Sequence, residues 1–299
     1  MSFYFQLIIL GLPIGVLWAL LATSVVMIYR ASRVLNLAVG GTAMFTAYVM
    51  YQLNLWGVPV VLALIGALAF AVLFGIATER WLLRPLRDKP MLVSVIMTVG
   101  VLALTTELAS DRWGVDRQNM PRIMPSGAVH FAGIAVGLDR IFILAITLLV
   151  MAAVVYLFRY TTLGISMRAV SDDRRAAQLM GVPAGRVSTT TWALGGLLGG
   201  TAGILLSPVI GLTPNGLVFQ SIPALAAALF GGLVSIELTF IGAMVLGVLW
   251  SLLPGISFGS LHLREVTGVQ EAAIFLLVIA FLYVRWEALF GSELREEEI

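Results

Sequence analysis

Apolar stretches of about 20 residues recur from one end of this chain to the other, and the charged side chains fall almost entirely between them. An apolar helix of that length crosses the hydrocarbon core of a bilayer. Spans are predicted at 5–29, 34–52, 58–81, 91–109, 140–159, 187–207, 221–236, 239–254 and 266–284. The expected fold is an all-α integral membrane protein, a polytopic bundle of about 8–10 transmembrane or re-entrant helices. The second span opens in Asn36-Leu37-Ala38-Val39-Gly40-Gly41, a small-residue stretch suited to a broken helix. Composition agrees, since 11% of residues are charged against about 25% in soluble domains.

The 299 residues read as one transmembrane domain with an external loop at 110–139, a cytoplasmic loop at 160–186 and a cytoplasmic tail at 285–299. Lysine and arginine set that orientation. With the N-terminus outside, 13 of them fall inside, among them Arg30, Arg33, Arg84, Arg87, Lys89, Arg168, Arg174 and Arg175. Five fall outside: Arg112, Arg117, Arg122, Arg140 and Arg264. No positive n-region precedes the first apolar run, so 5–29 reads as a retained span rather than a signal peptide. The external loop, with Asp111, Trp113, Asp116, Pro121 and Pro125, has no clear helical period and serves either as a binding surface or as a polar cap over helix ends. The acidic run Glu293 to Glu298 reads as a solvated tail.

Several chemistries are set aside. A net charge of +2 with no continuous basic surface gives nucleic acid nothing to bind. There is no cysteine, and His130 and His262 have no ligand-spaced companion, so no metal site is expected. The single lysine, Lys89, follows Asp88, so the phosphate-cradling G-x-x-x-x-G-K-[ST] pattern is absent and any ATPase must be a separate chain. Catalytic residues are not expected. The intramembrane carboxylate cluster of an ion-coupled carrier is missing as well.

Close helix packing in lipid relies on small residues. Gly195, Gly199 and Gly203 recur every four residues in the sixth span, and Ala228 and Gly232 repeat the theme in the seventh. Such faces serve static packing or a sliding seam. Polar groups inside spans face protein or water, which makes Ser32, Asn36, Gly40, Ser94 and Thr98 candidates for lining a pathway. For the hydroxyls the plainer role is a bond to their own helix.

Between two long apolar runs lies the polar segment 161–181. Ser171 or Asp172 is placed to cap a short helix there, with Asp172 and Asp173 in its first turn. Arg174, Arg175, Ala176, Ala177, Leu179 and Met180 follow, and Gly181 ends it. Its apolar stripe, flanked by arginines, suits either a groove on a partner or an anionic lipid surface.

Four stretches carry a resemblance. Thr162-Leu163-Gly164 with Arg168-Ala169-Val170, Asp173, Ala176-Ala177 and Met180-Gly181 resembles the cytoplasmic coupling loop of permease subunits from branched-chain amino acid ABC importers of the Liv family. Ser32 to Ala38 followed by Gly40, Glu79-Arg80 with Arg84-Pro85-Leu86-Arg87, and Ala224 to Ser235 resemble three further motifs of that family, closest to its H-type permease. The resemblance implies coupling to an ATPase through Arg168 and 172–181. It also implies a second permease, two ATP-binding subunits holding ATP and Mg, and an external solute-binding protein. Val39 and Gly41 depart from the usual polar and acidic residues beside Gly40, and Ile236-Glu237-Leu238 replaces a Pro-Gly pair. Branched-chain amino acids or related small organic solutes are therefore the expected cargo. The competing class is a self-sufficient channel or ion-coupled carrier.

Overall fold

A helix that is apolar on every side belongs at the centre of a bundle, and α1 (Ser2–Ser32) takes that place, with Val16 to Ala22 and Val25 to Ile28 fully buried. The computed structural model describes residues 2–87, 89–120, 127–131, 134–255, 257–258, 261–262 and 268–290. The chain continues through α2 (Val39–Leu55), α3 (Val60–Ala77), α4 (Met91–Trp113) and α5 (Leu138–Tyr160). Two short helices, α6 (Thr162–Asp172) and α7 (Arg174–Leu179), lead into α8 (Ala184–Ile210). The chain then forms α9 (Pro214–Phe219), α10 (Ser221–Phe230), α11 (Ile236–Leu252) and α12 (Val269–Phe290).

Among the described residues, six stretches are long and apolar enough to span a membrane: Tyr4–Ser32, Val60–Leu86, Met91–Trp113, Leu138–Tyr160, Ala184–Ile210 and Ile236–Gly255. The all-α polytopic bundle expected from sequence is what the chain forms. Two boundaries move. The second span begins at Val39 rather than 34, because Arg33 takes a left-handed φ of 56° and residues 33–36 run without helix. The stretch expected at 221–236 is instead α10 alone, closed before Gly231, with α9 preceding it across a break at Gln220 and α11 opening at Ile236. Thr213 caps α9 by accepting from the Gly216 amide at 3.1 Å, and Pro214 occupies the first helical position, where its missing N–H costs nothing.

Glycines let the helices meet backbone to backbone. A side chain on Gly11 of α1 would fall 2.6 Å from the Gly247 carbonyl oxygen of α11. On α8 the glycines serve three neighbours: Gly195 faces Ile28 and Ser24 of α1, Gly196 faces Ala71 of α3, and Gly203 sits on Ala43 of α2. Gly199 has more room, its nearest neighbour lying 3.6 Å away on Val39. Ala228 is buried within α10. Gly232 lies beyond that helix with φ 64°, so it serves a left-handed turn rather than a helix seam.

The 110–139 connection is shorter than a loop reading implies, because α4 runs to Trp113 and α5 begins at Leu138. Between them β1 (Ala128–Phe131) pairs antiparallel with β2 (Ile134–Gly137), Ala128 opposite Gly137. Gln118 bridges Leu212 and accepts from the Tyr51 hydroxyl at 3.0 Å, while Trp113 donates to Gln52 at 2.8 Å. A second hairpin joins β3 (Ser257–Phe258) to β4 (Leu261–His262). Pro121, Arg122, Pro125, Arg264 and the acidic tail residues Glu293 to Glu298 lie outside the described residues.

Candidate coupling segment and cationic cavity

The polar segment expected as one capped helix is two helices with an extended residue, Asp173, between them. Asp173 itself is the cap. Its Oδ1 accepts from the Arg175 and Ala176 amides at 2.7 and 2.9 Å, while Asp172 ends the preceding helix. Gly181, with φ 84°, supplies the left-handed residue that turns the chain after Met180.

The segment is fastened to the helix ends around it. Arg168 donates to the Phe158 carbonyl, and Arg33 donates to the Ser171 carbonyl at 2.8 Å. Gly164 packs so closely on the end of α5 that any side chain there would collide with the Phe158 carbonyl. Met167, Val170 and Ala177 are buried. Leu179 and Met180, by contrast, are 89% and 85% exposed, beside exposed Arg175 and Ala176. A fixed mount thus presents two large apolar side chains with none of the described residues covering them.

Beside α7 lies a cavity of about 490 Å³ bounded by the ends of α1 and α3 and the starts of α4 and α8. Arg33, Arg84, Arg87, Lys89 and Arg174 line it, with Glu79 as the one carboxylate among the described lining residues. Beyond Ala77 the α3 helix continues as a π-turn, Thr78–Leu83, a feature frequent at functional sites. That turn carries Glu79, which is 1% exposed. Glu79 pairs with Arg87 and accepts from the Thr189 hydroxyl of α8 at 2.8 Å. Burial and the facing Arg87 guanidinium push the Arg174 pKa below the ordinary arginine value, with Glu79 opposing.

The pathway candidates separate into three places. Ser32 and Ser94 line the cationic cavity. Asn36 lines a smaller void of about 10 Å³, about the room of a single water, with Ser24, Thr42 and Thr78; Trp192 borders both spaces. The Asn36 Oδ1 accepts from the Ala38 amide at 3.0 Å, and the Thr98 hydroxyl accepts from the Leu37 amide at 3.3 Å, so both hold the break before α2. Gly40 lines neither void and packs on α9 and α10, a Cβ there falling 2.8 Å from the Val218 carbonyl.

Sequence reasoning quoted Glu79 within a motif but gave it no role. The signal was its position inside the predicted 58–81 span, where an ionisable group is costly and needs a partner. The Tyr48 hydroxyl, buried without a hydrogen-bond partner, was missed and carried no signal beyond its place in α2. One string, Gly255-Ile256-Ser257-Phe258-Gly259, does have the G-x-S-x-G spacing of a hydrolase nucleophile. That motif needs a strand running into a helix, whereas Ser257 lies in β3 and β4 follows it.

Six apolar spans, one of them the buried central helix, with a polar two-helix segment clamped to one end, define a multi-pass membrane protein. Residues 7–284 match the family described as the branched-chain amino acid transport system permease component, and the chain belongs to that family. It is 27% identical over 261 residues to the high-affinity branched-chain amino acid transport system permease protein BraD of Pseudomonas aeruginosa, covering 82% of this chain and 84% of that one. LivH of Escherichia coli, a permease protein of the same description, is 26% identical over 292 residues, covering 93% and 94%. A probable branched-chain amino acid transport permease protein LivH of Methanocaldococcus jannaschii is 27% identical, covering 79% and 77%.

Proposed function

We propose that this chain is one permease subunit of an ATP-driven importer for branched-chain or other small hydrophobic amino acids, and that α7 couples it to an ATPase. The observation that carries the coupling role is the pair Leu179 and Met180, almost fully exposed at the end of a helix whose base is fixed by Asp173, Ala177 and the ties of α6. Large apolar side chains on a rigid mount are costly in water and favourable in a partner's groove. The proposed assembly contains a second permease, two ATP-binding subunits holding ATP and Mg, and an external solute-binding protein. The cationic end, with the coupling segment and the C-terminal tail, faces the cytoplasm in accord with the positive-inside bias. The N-terminus lies on the outer side of the cell (inner) membrane. ATP binding and release in the partners drive alternating access as a rigid-body change, and the solute passes near the Asn36 void, completed by the second permease.

The test is affinity purification of the full-length chain from gently solubilised native membranes, compared with a Leu179→Ser, Met180→Ser variant. The wild-type chain brings down an ATPase and a second permease. The variant inserts normally and keeps the second permease but loses the ATPase and uptake. A wild-type chain that stays alone and passes solute in vesicles is a channel, and the coupling role is then wrong.

A further inference from the structure

Five cations around one cavity face a single carboxylate among the described residues. Glu79 is committed to Arg87 and Thr189, and Arg33 reaches the neutral carbonyl of Ser171. Arg84 and Arg87 lie side by side over the start of α8, the terminal nitrogens of their guanidinium groups 3.6 and 3.9 Å from the Cβ position at Gly185. Lys89 and Arg174 complete the ring. Like charges held together in a partly enclosed space attract an anion, and burial first and Arg87 second lower the pKa of Arg174.

The exposed surface flanking the charged residues in sequence says which kind of anion. Immediately beside the charged lining, Trp81 is 76% exposed and Leu92 67%, with Leu82 and Met91 also exposed. Trp81 and Leu82 lie on the turn that carries Glu79, and Leu92 starts α4. The exposed residues next in sequence to the lining residues Leu83 and Met91 are therefore apolar, and one is a tryptophan, the side chain favoured at the boundary between headgroup and acyl chain. Basic pockets between helix ends on the cytoplasmic side of a membrane suit phospholipid headgroups.

We infer that this cavity is a binding site for the phosphate headgroup of an anionic phospholipid, with Arg84, Arg87, Lys89 and Arg174 on the phosphate and one acyl chain laid over Trp81 and Leu92. The assignment rests on the membrane orientation proposed above and stands independently of the role given to α7. The lipid braces α3, α4 and α7 against one another at the end where the coupling segment is mounted.

The experiment uses the full-length chain in zwitterionic nanodiscs, with thermal unfolding followed as phosphatidylglycerol, further phosphatidylcholine or inorganic phosphate is added. Phosphatidylglycerol stabilises the wild-type chain, and the other two do not. The Arg84→Gln, Lys89→Gln variant, altered only at two exposed positions, has the wild-type melting temperature in phosphatidylcholine. Its preference for phosphatidylglycerol falls by one to two orders of magnitude, roughly the sum of two basic side chains near a membrane surface. Removing two other exposed arginines, in an Arg112→Gln, Arg186→Gln variant, leaves the preference intact. Equal stabilisation by both lipids, or an undiminished preference in the first variant, overturns the site. Stabilisation by inorganic phosphate as large as that by phosphatidylglycerol overturns the lipid assignment and makes it a free-anion site. An undiminished preference in a Trp81→Gln, Leu92→Gln variant overturns the acyl-chain placement.

Discussion

Thr189 of α8 donates its hydroxyl to the Glu79 carboxylate at the end of α3, 2.8 Å away and 110 residues apart in sequence. The same carboxylate holds Arg87. One buried acid therefore ties the end of α3, the loop after it and the start of α8, and α8 is the helix that leads directly out of the coupling segment.

Removing that acid exposes how much depends on it. Breaking a buried pair by deleting one partner costs about 3–5 kcal/mol, and the partial exposure of Arg87 places Glu79→Ala at the lower end. Thr189→Val loses a hydrogen bond to a charged group and costs about 1.5–3 kcal/mol. Thermal unfolding in detergent checks both. The expected order is wild type, Thr189→Val, Glu79→Ala, from most to least stable, and an unchanged Glu79→Ala would show that the tie contributes nothing.

The cap of α7 separates two neighbouring aspartates. Asp173 accepts from two backbone amides, whereas Asp172 is exposed in the last turn of α6. Losing an N-cap acceptor costs about 1 kcal/mol, a large fraction of what holds a six-residue helix. Asp173→Ala is expected to speed amide hydrogen exchange through 174–180 and to reduce uptake, and Asp172→Ala to leave exchange there unchanged. Similar exchange in the two variants would contradict the assignment of the cap.

Much of this was readable in the sequence because membrane spans are written in composition. Runs of apolar residues located the spans, and the lone polar segment at 161–181 located the mount for Leu179 and Met180. What the sequence could not convey depends on distant partners. Gly199 and Gly203 share one four-residue repeat, yet one faces open van der Waals distance and the other a carbonyl. The break before α2 was visible in its small residues, but its start at Val39 depends on Thr98 of another helix accepting from Leu37. Glu79 was legible as an ionisable group in a span, though its partners Arg87 and Thr189 were not.

Those two glycines give a clean packing test. An added methyl at Gly203 would overlap the Ala43 backbone, which cannot step aside, whereas at Gly199 it meets Val39 at an ordinary 3.6 Å. Gly203→Ala is expected to destabilise by about 1–3 kcal/mol through overpacking and to lower the yield of folded protein. Gly199→Ala should change stability by less than about 0.5 kcal/mol, as at sites away from such features. Melting temperatures of the two purified variants decide it, and equal losses would mean that the repeat acts as one seam.

Asn36 and Thr98 support the same break, and their substitution separates structure from passage. Thr98 is fully buried; its hydroxyl donates to the Val95 carbonyl at 2.8 Å and accepts from the Leu37 amide. Thr98→Val keeps the shape and leaves that amide short of a partner, a cost of about 1–3 kcal/mol, with uptake falling only as far as folded protein does. Asn36 shares the support of the break but also borders the void beside Trp192. Asn36→Asp retains the oxygen that accepts from Ala38 while placing a charge beside the proposed path. Uptake per folded molecule should drop sharply in Asn36→Asp and Asn36→Leu and remain near wild type in Thr98→Val. If all three fall only in proportion to their folded fraction, Asn36 is a structural residue and the solute passes elsewhere.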